Sequence, residues 1–260
     1  MKPQVFKISE EEYNSLEALR SSDFKKFCTS PETYKHNIDN PDTSVQSHFV
    51  LGRFIHTGIL EPEKLKDQFA RSKFATRVGK EFTAQMHGLR QSGIDLLTSK
   101  EYDMGKALIE RTLRRSKVID FLNAGYPEMS FTAMVEGVRC KVRFDLITED
   151  GIGIDFKSTG SKIEEFPRAI RNFGYDISAA FYLLVAEAAI KANPDCGLQI
   201  PTEFKLVAIE KEAPFRCRIF TFAPSKLEAA KTYVREKLKE YKQCLATDSW
   251  EDSDEESVIV

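Results

Sequence analysis

At Gly125-Tyr126-Pro127 the hydrophobic rhythm of this chain changes, and that change constrains the fold more than any other feature. Before it, apolar residues recur at helical spacing: Leu16, Leu19, Phe24 and Phe27 within Ser9 to Phe27, then Phe49 to Leu60, Arg77 to Gln91 and Lys100 to Leu122. Ser9 or Ser22 serves as an N-cap, and Ser30-Pro31, the polar stretch Pro41 to Ser47, Glu61-Pro62 and Ser92-Gly93 separate these units. After it, Glu128 to Val135, Val138 to Thr148 and Gly151 to Ser158 alternate with period two, with Glu136-Gly137 and Glu149-Asp150-Gly151 as hairpin turns. A helix from Ala179 to Ala192, strands from Phe204 to Glu210 and Phe215 to Phe222, and an amphipathic helix from Ser225 to Leu245 complete the order. The expectation is an α+β fold: a central mixed sheet flanked by helices, with a mainly helical N-terminal half and no internal repeat.

With 260 residues, 42% of them hydrophobic, the chain can bury one large core, and residues 1–246 read as a single domain. Residues 247–260 read as an acidic, disordered tail whose other reading is a DNA mimic or partner hook. Its segment from Asp248 to Glu256 carries six acids and no base. Removing those six from the net charge of −2 leaves the body at +4, so the near-neutral total does not exclude a nucleic-acid partner. The five cysteines, Cys28, Cys140, Cys196, Cys217 and Cys244, are scattered without a C-x-x-C pair, which argues against a disulfide framework or a zinc ribbon. No basic-then-apolar leader opens the chain, and the longest apolar stretch, Ile177 to Ile190, is interrupted by Glu187. A cytoplasmic protein with no membrane partner is expected.

Two lone acids stand in the apolar strands. Asp145 interrupts Arg143-Phe144-Asp145-Leu146-Ile147, and Asp155 does the same in Ile154-Asp155-Phe156-Lys157. Adjacent strands of a hairpin can bring such carboxylates together, and two converging carboxylates repel unless a cation lies between them. Oxygen donors suit Mg²⁺, with Mn²⁺ as a substitute, and such an ion can polarise a phosphodiester and generate hydroxide. Asp155 and Lys157, two apart on a strand, leave the same face, where the lysine can orient or deprotonate water and offset transition-state charge. A bare D-x-K is equally an ion pair on an exposed strand edge; the second aspartate one hairpin away and the apolar flanks favour a site.

Other residues are less distinctive. His56, in Leu51-Gly52-Arg53-Phe54-Ile55-His56-Thr57-Gly58, is an ordinary core or surface histidine unless the carboxylate site recruits it as a nitrogen ligand. Glu128 opens the first strand and reaches the same end of the sheet or stays on the surface. Ser178 and Tyr182 share one helix face, where packing alone accounts for the tyrosine. Arg111, Arg114 and Arg115, with Lys106 and Lys117, form a solvated helix face or a phosphate-tracking surface, and Lys162, Arg168 and Arg171 are similar candidates. No G-x-x-x-x-G-K-[ST] loop is present.

In combination these motifs resemble the nuclease domain of exonuclease VIII (RecE) and its phage-borne relatives. That family lies in the PD-(D/E)XK superfamily with lambda exonuclease and the RecB nuclease domain. The likeness runs from about Ala18 to Leu245. Leu19 to Pro31 is similar to the family's S-x-L-x-x-[FL]-x-x-S-P opening segment, and Leu51 to Pro62 to its L-G-x-x-x-H…L-E-P helix. Gly137 to Asp145 is similar to its G-x-x-C-x-x-R-x-D strand, and Asp155 to Thr159 to its D-x-K-[ST]-T strand.

The resemblance implies a restriction-endonuclease-like core in which His56, Asp145, Asp155 and the Phe156 carbonyl ligate Mg²⁺. Lys157 would position the nucleophilic water, and Glu128 would stand for an acid preceding the core sheet. It also implies an exodeoxyribonuclease acting on linear double-stranded DNA, 5′ to 3′, in recombination. Such an enzyme would work as a trimeric or tetrameric ring and alongside a single-strand annealing protein. An endonuclease on the same fold, or a DNA-binding module with weakened catalysis, is the alternative. One departure bears on that last reading: Tyr175 to Tyr182 carries Ser178 where the family's Y-x-x-Q-x-A-x-Y helix has glutamine, a shorter side chain with less reach.

Overall fold

The computed structural model describes residues 4–41 and 48–252. Its first half contains β1 (Gln4–Lys7), α1 (Glu10–Ser15), β2 (Leu19–Arg20), α2 (Ser21–Thr29), α3 (Pro31–Asp39) and α4 (His48–Leu60). These are followed by α5 (Leu65–Gln68), β3 (Phe69–Arg71), α6 (Lys80–Arg90), β4 (Asp95–Leu97), α7 (Ser99–Leu113) and α8 (Ser116–Asn123). The second half runs β5 (Gly125–Val135), β6 (Val138–Thr148), β7 (Ile152–Thr159), α9 (Phe166–Asn172), α10 (Tyr175–Lys191), β8 (Glu203–Glu210), β9 (Cys217–Thr221) and α11 (Pro224–Thr247).

Local chemistry sets several of these boundaries. Ser9 with Glu12, and Thr98 with Glu101, form reciprocal capping boxes that satisfy the first free amides of α1 and α7. Ser30 caps α3 with Pro31 in its first turn, so the dipeptide that stops α2 also starts the next helix. Gly174, at φ +56°, turns the chain from α9 into α10.

The main sheet is mixed and seven-stranded, ordered β1-β5-β6-β7-β8-β9, with β2 laid against β6 outside that path. One edge of β6 is paired along its length with β5, from Gly125↔Thr148 to Val135↔Val138. The other edge is shared. β2 runs parallel to it at Cys140 and Lys141, and β7 runs antiparallel to it only at Leu146 and Ile147. β7 is committed instead to an eight-residue parallel ladder with β8. Residues 142–145 of β6 therefore face a gap in the sheet.

Helices cover both faces. Phe144, Phe204 and Leu206 point into a layer made with Phe181 and Val185 of α10, Val234 and Leu238 of α11, and Phe24 and Phe27 of α2. Leu146, Ile154, Phe156 and Val207 point to the opposite layer, against Phe54, Ile55 and Ile59 of α4 and Leu108 and Ile109 of α7. Lys141, only 4% exposed, anchors the N-terminal segment: its Nζ donates to the carbonyls of Tyr13 (2.9 Å), Asn14 (3.2 Å) and Leu16 (2.6 Å), where α1 ends.

The expected α+β order holds, with differences in detail that include two helices not expected, α3 and α9. The helical half also carries β1 to β4, strands of two to four residues that are too short to show a period. Lys100 to Leu122 is two helices, because Arg115 is extended (φ −84°, ψ 112°) and donates its guanidinium to the Cys217 carbonyl. The last strand begins at Cys217, two residues later than expected. Part of the expected disordered tail is seated: Trp250 packs against the rings of Phe27, Tyr34 and Tyr241, and Asp252 accepts the Glu32 amide at 3.2 Å. Residues 42–47 of the polar stretch and 253–260 of the tail lie outside the described residues. Among the described residues no single helix is long and apolar enough to cross a membrane.

Candidate active site

The gap in the sheet coincides with an irregular step in β6 and in β5 behind it. Side chains two apart on a strand share a face, yet Phe144 enters the α10 layer and Leu146 the α4 layer. Across from them the ladder passes from Met129↔Phe144 to Pro127↔Leu146, and Glu128 between them adopts φ +59°. Glu128 and Asp145 thus oppose each other at an irregular step, which re-aims both carboxylates into the gap.

Asp145 Oδ2 accepts the Phe156 amide at 2.7 Å, so a side chain supplies the bond that a continued β6–β7 ladder would have made. The two aspartates expected to pair across a hairpin are brought together by this splayed wedge instead. His56 comes from α4 in the opposite layer: its Nε2 is 2.7 Å from the Phe156 carbonyl and its Nδ1 is 3.4 Å from Asp145 Oδ2. Asp155 and Lys157 share a face as expected, with Nζ 2.5 Å from Asp155 Oδ2 and 5.7 Å from the centre of the Tyr175 ring. Arg143 donates from Nε to the Glu128 carboxylate and from Nη1 to the Ile8 carbonyl at 3.2 Å.

Crowding of acids in a partly dry site moves their proton equilibria. Burial raises Asp145 above the ordinary carboxylate range, with neighbouring Asp155 adding to the rise while His56, Lys157 and the Phe156 amide oppose it. Burial and then Asp145 raise Glu128, against the guanidinium of Arg143. Burial works to lower Lys157, but Asp155 and Asp145 outweigh it, so the amine is held as ammonium well above its usual range. Tyr182 is clamped edge-on between Phe144 (5.0 Å) and Phe204 (5.8 Å), and burial lifts its phenol far up.

Among the described residues no three His, Cys, Asp or Glu side chains converge on one point. Each donor is bonded to a neighbour: Asp145 to the Phe156 amide, His56 to the Phe156 carbonyl, Asp155 to Lys157. The donor chemistry nonetheless fits a hard divalent cation. Two carboxylates, a carbonyl and an imidazole face one wedge, which is a donor set such an ion accepts. His56, Asp145, Asp155 and the Phe156 carbonyl could hold such an ion by exchanging the His56–Phe156 bond for coordination.

A cavity of about 270 Å³ opens through the gap. Asp155, Lys157, Ser178 and Tyr182 line it, and so do Arg20, Lys25 and Arg143, which sequence reasoning did not single out as functional. Lys25 donates to the Phe173 carbonyl at 2.9 Å, and burial, then Lys157, lower its pKa. Arg143 had a local signal, two residues before Asp145 inside a motif strand. Arg20 and Lys25 had none, because folding alone carries α2 to β6. The basic residues that cluster in sequence lie elsewhere. Arg111 and Arg114 line one pocket with Pro214 and Phe215, and Arg115 another with Lys117 and Arg218, both on the α7 side of the sheet. Lys162, Arg168 and Arg171 are exposed and line none of these three cavities.

A mixed sheet between helical layers, opened at one strand edge to present an aspartate, a second aspartate and a lysine in D-x-K spacing, defines the PD-(D/E)XK class. The chain belongs to the family described as PDDEXK-like domain of unknown function (DUF3799), whose model matches residues 20–258. No curated protein matches it. A crystal structure of a protein from Eubacterium rectale, named "Putative exonuclease", shares the fold at a TM-score of 0.67 and 15% identity, over 94% of this chain and 88% of that one.

Proposed function

We propose that this chain is a Mg²⁺-dependent exodeoxyribonuclease that hydrolyses phosphodiester bonds of linear double-stranded DNA. The observation that carries the reading is the meeting of Asp145, Asp155, the Phe156 carbonyl and Lys157 at the gap between β6 and β7, with His56 delivered from the opposite layer. A divalent ion bound there, Mg²⁺ or Mn²⁺, would polarise the phosphodiester and acidify a bound water. The chain's own groups do the rest. Lys157, held as ammonium, orients the attacking water and stabilises charge developing on the phosphoryl oxygens. Arg143 fixes Glu128 beside Asp145, while Arg20 and Lys25 draw the backbone of the strand into the cavity. Ser178 and Tyr182 lie on its α10 wall.

Action at DNA ends rests on the resemblance to RecE-like enzymes and agrees with the name of the Eubacterium rectale protein. The same resemblance supports 5′-to-3′ degradation in recombination, assembly as a ring of three or four copies and work beside a single-strand annealing protein. A ring would also let inward-facing bases of several near-neutral subunits add their charge around DNA.

Linear and covalently closed circular duplex, incubated with Mg²⁺ or EDTA, test this reading. Wild type should degrade only the linear form and only with metal, and Asp155→Ala and Lys157→Ala should be inert. Cut circles would replace the exonuclease by an endonuclease, and intact DNA under every metal would leave a binding module. End label released first from the 5′ terminus supports the stated polarity; first release from the 3′ terminus reverses it.

A further inference from the structure

Phe173 sits at the turn between α9 and α10 with 60% of its surface exposed, although its direction is fixed. Gly174 follows in the left-handed conformation, and Lys25 Nζ holds the Phe173 carbonyl at 2.9 Å. The ring is the outer member of a series. Phe166, 1% exposed, stacks on Tyr175 (6.1 Å, 30°), and Tyr175 meets Phe173 at a tilt (5.7 Å, 34°). The middle ring faces two ammonium groups, Lys25 at 5.6 Å and Lys157 at 5.7 Å. An aromatic ring that buries so little of itself contributes little to folding, yet here it is joined by ring contacts to a series that begins in the core.

We infer that Phe173 is a stacking shelf for an unpaired nucleobase of the strand being cut. Tyr175 stands between Lys157 and Phe173, so a strand with a phosphate against Lys157 brings an adjoining base over the outer ring. The surroundings are cationic, as a nucleic-acid strand requires: Lys25 and Lys157 on the cavity side, with exposed Arg168 and Arg171 on the helix leading into the turn. Every base has a π-face, so the shelf holds a strand without reading its sequence. Duplex cannot present such a face except at an end or after fraying. The shelf therefore favours termini, which deepens the exonuclease reading and rests on it for the identity of the strand.

Two measurements separate the shelf from that reading. In cleavage of linear duplex, Phe173→Ala should raise KM about tenfold with kcat little changed, within the range that loss of one base–aromatic stack produces. Phe173→Tyr should restore KM, while Phe173→Leu, apolar but without a π-face, should not. In EDTA, where nothing is cut, Phe173→Trp should lose emission on addition of single-stranded oligothymidine of about 12 nucleotides, a length within the usual site sizes for unpaired strands. Wild type, whose single tryptophan is Trp250, should not respond. Unchanged KM in Phe173→Ala, full activity in Phe173→Leu, or no quenching in Phe173→Trp overturns the shelf. If wild type cuts no DNA but oligothymidine quenches Phe173→Trp, the nuclease reading falls and the shelf stands.

Discussion

Two groups of basic side chains flank the sheet, and they differ in everything but charge. Arg111, Arg114 and Arg115 are neighbours in sequence, project from α7 and its end, and line pockets other than the cavity that holds Asp155 and Lys157. Arg20, Lys25 and Arg143 are more than a hundred residues apart at their extremes, yet they meet in one cavity with Asp155 and Lys157 on its wall. The first group is a run on an exposed helix, which any solvated surface produces. The second requires β2 to lie on β6 and α2 to follow it, so the fold has placed those cations there. Proximity in the chain and proximity in the fold thus pick out different cations, and only the second group stands beside the unpaired strand edge.

That contrast can be broken by substitution. Lys157→Ala should lower cleavage by roughly a thousandfold, the upper range for removing one preorganised charge donor. Arg111→Ala and Arg114→Ala together should leave the rate within twofold in a gel assay, and comparable losses from both sets would erase the distinction. Next in size is Arg143→Ala. The Arg143 and Glu128 side chains are only 15% and 18% exposed, so removing the guanidinium strands a carboxylate beside Asp145. Loss of about 3 kcal/mol in urea unfolding is expected, against under about 0.5 kcal/mol for exposed Arg114→Ala.

Smaller again, Lys25→Ala should weaken DNA binding several-fold and reduce the salt slope of log K by roughly one unit, while Arg115→Ala should leave the slope as it was. Fluorescence anisotropy across a salt series measures both. The smallest effect concerns Arg216, a cation of the sheet edge rather than of the cleft. Its bonds hold Glu164 and Glu210 below the ordinary glutamate value of 4.5. A lowered carboxylate contributes stability above that value and loses it as pH falls through the folded pKa. Arg216→Ala should therefore narrow the gap in Tm between pH 6 and acid, and an unaltered acid limb would remove the network from the account.

Asp145, Asp155 and Lys157 could be read from sequence because a lone acid in an apolar strand has no packing role, and two such acids one hairpin apart imply a shared cation. His56 carried no signal of its own; only its motif context separated it from an ordinary histidine. The wedge itself was hidden. Nothing in Glu128 or Asp145 announces a kinked ladder, since the irregular step exists only when two strands are paired, and β7 leaves β6 because its longer ladder is with β8. Short β1 and β2 escaped for a related reason: two or four residues form a strand when a partner strand supplies the other half of the hydrogen bonds.

The clasp around Trp250 has a practical consequence. This sole tryptophan touches Phe27, and Phe27 lies half a helical turn along α2 from Lys25, whose amine stands in the cleft. One rigid rod therefore links a fluorophore at the back of the molecule to a cation at its front. Because aromatic rings on three sides seat it, Trp250 gives the unmodified protein a fixed emission against which a second fluorophore placed in the cleft can be read.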